Sequence, residues 1–192
     1  LGAQVFGKCE NPKFLLRSAK APRNKNAGKR KPKQFSELGL QMFEKQKARF
    51  YYGLSERQFA NYVKKAGEKK GANPSFELYK MLETRLDNVV FRLGFAKTRA
   101  FARQMVTHGH ITINGKKISF PSYEVKAGEV VGIREGSRAK GPFQTLSERL
   151  KEYTEPAWLS LEKPKKEGKM VAEPGAPDEA GMLFNLASVV EF

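Results

Sequence analysis

Apolar positions recur at helical spacing over most of the chain and give way to strict alternation only after residue 110. In LETRLDNVVFRLGF (82–95), Leu82, Leu86, Val89 and Leu93 continue a face begun by Leu78. This predicts one long helix, entered through Asn73-Pro74 and stopped at Gly94, where a left-handed residue ends a helix without a Cβ clash. Arg85, Asn88 and Arg92 border the apolar face on one side, and Glu83 and Asp87 border it on the other. Such a helix buries its apolar strip while holding two guanidiniums toward a polyanion.

The same reading places helices on either side of this one. Ser36 is an N-cap candidate for a helix running to about Tyr52, with Gly53 ending it. Ser55 and Gln58 form a capping box ahead of Phe59, Tyr62, Val63 and Ala66. Thr98 caps a short helix from Arg99 to His108, and Gly109 closes it. The period then changes. Ile111 and Ile113 alternate into Asn114-Gly115 with Ile118 beyond, a two-residue hairpin signal, and a further strand is expected over 129–134. After Pro142 a helix is expected near 146–153, followed by loops over 163–181. The terminal ASVVEF is apolar and β-prone, and it should dock, since an exposed apolar strand invites aggregation.

Charge adds a direction to this layout. The 192 residues carry 36 Lys+Arg against 20 Asp+Glu, net +16, with a pI near 9.9. That balance points to nucleic acid before acidic membrane surfaces. Residues 1–81 hold 19 basic and 6 acidic groups and residues 82–141 hold 11 and 5, whereas residues 142–192 hold 6 and 9. The polyanion therefore belongs to the first three quarters of the chain. Residues 8–34 contain APRNKNAGKRKPK, too polar to fold alone, and read as an extension ordered by a partner. No apolar stretch approaches the ~20 residues of a membrane helix.

Candidate chemistry is narrow. Arg85, Arg92, Lys97, Arg99 and Arg103 place five cations on two helices joined by a tight turn, with Arg99 and Arg103 four apart on one face. The N-terminus of the shorter helix adds backbone N–H groups suited to phosphate. A preformed basic surface of this kind reads RNA by shape, phosphates and 2′-hydroxyls. Duplex DNA is less favoured, because no helix-turn-helix or zinc-finger signature is present. His108 and His110 lack carboxylate or thiol companions at ligand spacing, and Cys9 is the sole cysteine, so no metal site is expected. Nucleotide-binding glycine loops, nucleophile elbows and paired catalytic carboxylates are not visible, so neither an enzyme nor a cofactor is expected.

The run LETRLDNVVFRLGFAKTRAFARQMVTHGHITINGKKI resembles the RNA-binding module named after the small-subunit ribosomal protein S4 family. The flanks FEKQKARFYYGLSERQFANYV, PSYEVKAGEVVGIRE, PAWLSLE and ASVVEF resemble the same family in its bacterial or organellar form, so the likeness covers nearly everything after Phe35. It implies an α+β fold with a basic extension (1–35), a mainly helical domain (36–81, with 142–192 returning to it) and an inserted helix–helix–β module (82–141). It also implies a structural, rRNA-binding constituent of the small subunit that clamps a multi-helix junction in the 5′ domain of 16S-type rRNA and nucleates assembly. By resemblance, Arg85, Arg92, Lys97, Arg99, Arg103, His108 and Asn114 fall on the module's RNA-facing positions, and Lys45, Lys47, Arg49 and Arg57 on the helical domain's rRNA face. A basic loop near the mRNA entry corresponds to Lys29, Arg30, Lys31 and Lys33. Neighbouring proteins S5 and S3 are the implied protein partners, in a bacterial cytoplasmic or an organellar ribosome. Some members bind zinc through four N-terminal cysteines; with Cys9 alone, zinc is not carried over.

Two other readings use the same module: an RNA-modifying enzyme that targets its substrate with it, and a ribosome-rescue factor. The first needs a separate catalytic domain, and the second lacks the KQKARFYYGLSERQF helices seen here.

Overall fold

The computed structural model describes residues 5, 12–19, 35–69, 71–138, 141–176 and 182–192. In chain order the elements are α1 (Pro12–Ala19), α2 (Glu37–Tyr51), α3 (Glu56–Glu68), α4 (Pro74–Glu83), α5 (Leu86–Arg92), α6 (Arg99–Thr107), β1 (Ile111–Ile113), β2 (Lys116–Lys117) and β3 (Val130–Ile133). There follow α7 (Glu135–Arg138), α8 (Gly141–Gln144), α9 (Leu146–Lys151), β4 (Leu159–Glu162), β5 (Glu167–Met170) and α10 (Leu186–Glu191). They form two compact units, one of residues 1–70 with 178–192 and one of residues 71–177.

In the first unit, the predicted caps do the terminating. The Gly39 N–H donates to Ser36 Oγ at 3.2 Å, and Gly53 turns the chain at φ +65°. Ser55 and Gln58 exchange both bonds of the capping box at 3.3 Å. The C-terminal segment is a helix rather than the strand its β-branched residues suggested. Asn185 accepts from the Ala187 and Ser188 N–H groups, which starts α10, and Leu186 and Val189 three positions apart become one buried face. That face lies on α2, where the Asn185 N–H donates to Glu44 Oε2 at 2.8 Å and Phe184 meets Tyr51 and Tyr52 edge to face. The segment 12–19, expected as part of an unfolded extension, is the helix α1.

The second unit is built on an antiparallel sheet of order β2-β1-β3-β5-β4. Ile111, Ile113, Val131 and Ile133 alternate inward and share one apolar core with Leu86, Val89, Val90 and Leu93 of α5 and Ala102, Met105 and Val106 of α6. Asn114 (φ +48°) and Gly115 (φ +79°) make the tight turn that Asn-Gly signals.

Three expectations change here. The long helix over 74–93 is two helices. Arg85 is extended, bridges to Glu124, and leaves the Leu86 and Asp87 N–H groups to donate to the Tyr123 and Pro121 carbonyls. A strand-like segment thus caps α5, and tertiary hydrogen bonds override an unbroken helical period. Second, residues 159–170 form the β4–β5 hairpin, although the stretch from 163 was expected to loop. Buried Leu159, Gly168 and Met170 alternate with exposed Ser160 and Lys169, a pattern masked by the lysine-rich turn at 163–166. Third, because β5 pairs with β3, residues 142–176 belong with the sheet instead of returning to the helical unit, and only the residues from 178 return. The compact unit that contains the sheet runs over 71–177, wider than the module expected over 82–141.

Gly168 marks where β5 passes closest to α5, since a Cβ there would overlap the side chain of the fully buried Leu93. Gly168→Ala should cost about 1–3 kcal/mol as an overpacked site. In a Leu93→Ala background the same change should cost clearly less, because the space is already open. Thermal melts of the two pairs of proteins measure this, and equal costs would place the tight contact elsewhere.

Candidate nucleic-acid interface

The apolar face of α4 and α5 is buried as its spacing demands, with Leu78, Leu82, Leu86, Val89 and Leu93 all at 0% exposure. Its charged borders behave differently from one another. Arg85 is 2% exposed, and its Nε and Nη2 donate to the Asp87 carboxylate at 3.0 and 2.7 Å. Asp87 in turn accepts from the Asn88 N–H at the start of α5. Arg85 is thus an internal strut, not an RNA-facing cation. The sequence misplaces it because the break at Thr84–Arg85 rotates the residue off the helix border and into the core.

Arg92 keeps a surface position, its side chain 28% exposed, while gripping a carboxylate that is wholly buried. Its Nε and Nη2 donate to the two oxygens of Glu83 at 2.8 and 2.9 Å, a bidentate fork. Asn88 Nδ2 donates to Glu83 Oε2 at 2.9 Å and to the Glu83 carbonyl at 3.1 Å. Asn88 Oδ1 then accepts from Arg99 Nε at 2.8 Å, and the Arg99 guanidinium lies 4.4 Å over the Phe91 ring. Burial pushes the Glu83 carboxyl up, but the bond and charge of Arg92, the charge of Arg99 and the Asn88 amide outweigh it, so the group sits below the usual carboxylate value. The end of α5 is tied off by Tyr153, whose hydroxyl donates to the Arg92 carbonyl at 2.8 Å, and by Arg149 Nη2, which donates to the Gly94 carbonyl at 2.6 Å.

From there the surface continues along α6. Thr98 Oγ1 accepts from the Phe101 N–H at 3.2 Å, fixing the helix start. Lys97 and His108 are exposed, while Arg99 and Arg103 are half-buried with their shared face set by i,i+4 spacing. His110 is half-buried instead, its Nδ1 2.9 Å from Ser137 Oγ and its ring edge-on to Phe143. Among the described residues no group of three or more metal-ligating side chains occurs. Lys117 of β2, which the sequence reading did not single out, lies across Gly109 at the end of α6. Only the tertiary fold of the hairpin brings it there. Asn114 is exposed at the hairpin tip, where its Oδ1 accepts from the Val130 N–H at 2.9 Å and locks the turn to β3.

In the other unit, the cations expected to form an rRNA face are mostly engaged within the chain. Lys45 pairs with Glu56 at 2.8 Å and stands 4.1 Å over the Phe192 ring. Arg49 reaches the same carboxylate at 3.2 Å, and Lys47 binds Glu44 at 2.6 Å. Glu56 is held below its usual value by the bond from Lys45, against a smaller opposing effect of burial. Arg57 is exposed on the first turn of α3. Lys29, Arg30, Lys31 and Lys33 lie outside the described residues.

Comparison with known proteins shows the family. Residues 84–131 match the S4 domain, and residues 1–83 match the N-terminal domain of ribosomal protein S4/S9. The chain is 43% identical over 190 residues to small ribosomal subunit protein uS4 of Roseiflexus castenholzii, covering 97% of this chain and 91% of that one. It is 42% identical to the uS4 of Chloroflexus aurantiacus (93% and 86% covered) and 47% identical to uS4A of Clostridium novyi (85% and 77% covered). An S4 domain, an S4/S9 N-terminal domain and identity along nearly the full length together mean that the chain belongs to the uS4 family of small ribosomal subunit proteins.

Proposed function

We propose that this chain is a structural constituent of the small ribosomal subunit, without enzymatic activity, which binds 16S-type rRNA and so contributes to translation. The observation that carries the reading is the basic surface of α5 and α6, in which Arg92, Lys97, Arg99 and Arg103 stand on a rigid core within a domain of the matched family. Its finer form is a clamp. The α5–α6 surface holds one side of a multi-helix junction in the 5′ domain, and Arg57 with the partnered cations of α2 contacts the rRNA from the helical unit. Binding the junction before the subunit is complete nucleates assembly. The basic segment with Lys29, Arg30, Lys31 and Lys33 contacts mRNA near its entry, and S5 and S3 are the neighbouring proteins.

Phosphate neutralisation sets the strength of such a contact. With about 8 phosphates engaged, log K falls with log[salt] at a slope of roughly −7. Arg103→Ala should weaken binding to a 5′-domain rRNA fragment and make that slope shallower by about one. Unchanged affinity and slope would remove Arg103 from the interface. In cell extracts the chain should stay with small subunits at one copy each through a moderate salt wash. Release in that wash would favour an RNA-modifying or rescue role.

A further inference from the structure

Two guanidiniums on different helices are tied here to one buried side chain, Arg92 directly and Arg99 through Asn88. Arg92 ends α5 and Arg99 begins α6, and both act electrostatically on the single buried carboxylate of Glu83. Coulomb repulsion between two cations sharing one side of a low-dielectric core is offset by a negative charge placed between them. The carboxylate reaches Arg92 directly, through the two-pronged bond. It reaches Arg99 through Asn88, and here the chemistry of the amide matters. An amide group has one donating and one accepting end. Glu83 Oε2 and the Glu83 carbonyl both require a donor from Asn88, so Nδ2 is committed to them, and Oδ1 is left pointing the other way. That oxygen receives Arg99 Nε. The Phe91 ring beneath the guanidinium plane removes a further degree of freedom.

We propose that Glu83 and Asn88 are positioning residues that bring the Arg92 and Arg99 guanidiniums together as one preassembled phosphate-binding pair. The proposal rests on the reading of α5–α6 as the rRNA surface and adds a division of labour within it. Arg92 and Arg99 touch the ligand, whereas Glu83 and Asn88 act only through them. Ordering two long side chains in advance means that binding does not have to immobilise them, which raises affinity without adding a contact.

The test combines affinity, salt dependence and side-chain exchange in the full chain. Against a 5′-domain rRNA fragment, Arg99→Ala should lower affinity about tenfold and make the salt slope shallower by about one. Asn88→Ala keeps both arginines yet should do nearly the same, and the double variant should be no weaker than Arg99→Ala alone. Losses that multiply in the double variant would overturn the positioning role while leaving the interface intact. Arg99→Ala without effect on affinity or slope would overturn the interface reading and this proposal with it. Should Asn88→Ala fail to fold, the unaltered protein decides. In NMR of the free chain, the Nε–H groups of Arg92 and Arg99 should exchange with water far more slowly than that of exposed Arg57. Equal exchange rates would show that the pair is not preassembled.

Discussion

Glu83→Ala is expected to destabilise the 71–177 unit by about 3–5 kcal/mol, a large share of the stability of a domain this size. The loss comes from what the carboxylate leaves behind. The two Arg92 donors lose their acceptor and Asn88 Nδ2 loses one of its two, at a residue with 0% exposure, and nothing of similar shape replaces the carboxylate. Removing one member of a buried charged network costs more than the network contributes over an apolar substitute. The same group gives the unit an acid limb. The carboxyl of Glu83 lies below its ordinary value in the folded chain, so the folded state binds its proton less readily than the unfolded state does. Its contribution is therefore complete above the unfolded carboxylate value near 4.5 and is lost as pH falls through the lower folded value. Denaturant titrations over that range should show wild-type stability falling on acidification. Glu83→Gln should fall less steeply from a lower start, and parallel curves would mean that other carboxylates set the acid limb.

The second large effect is on binding. Replacing Lys97, Arg99 and Arg103 together by Ala removes three phosphate contacts while leaving the core of α6, formed by Ala102, Met105 and Val106, as it is. Each neutralised phosphate contributes about 0.9 to the salt slope, so the triple variant should flatten it by about three. Affinity at moderate salt should fall by roughly three orders of magnitude, taking about a tenfold loss per contact, while the melting temperature falls only modestly, through the Asn88 amide oxygen that loses Arg99. Lys97 is exposed and Arg103 half-buried, whereas Arg99 also donates to buried Asn88 and stacks on Phe91, so the change in stability traces to Arg99. A triple variant that binds normally would move the rRNA contact away from α6.

What the sequence disclosed, and what it hid, divides along the range of the forces involved. Ser36, Ser55, Thr98, Gly94 and Asn114-Gly115 act on backbone groups within a few residues, and each stands in the structure at the turn or cap its spacing implied. The apolar face from Leu78 to Leu93 was legible for the same reason. The break at Arg85 was not, since the groups that cap α5 come from Pro121 and Tyr123, more than thirty residues on. Arg85 looked like a surface cation because a helical wheel assumes an unbroken helix, and its pairing with Asp87 exists only across the break. Glu83 was legible as an acidic border residue. Its function as the buried counter-charge of two arginines needed the α5–α6 turn to be seen. The β4–β5 hairpin was hidden for a related reason, because short strands with charged outer faces carry little period of their own until a neighbouring strand exists to pair with.

A hydroxyl-radical footprint of the full chain on 16S-type rRNA tests the junction clamp most sharply. Protections should be confined to the helices meeting at one junction of the 5′ domain, with those facing α5 and α6 lost in the Lys97/Arg99/Arg103 triple-alanine variant and those facing the helical unit weakened but in place. Protections scattered over the rRNA, or a pattern that the triple variant leaves unchanged, would contradict it.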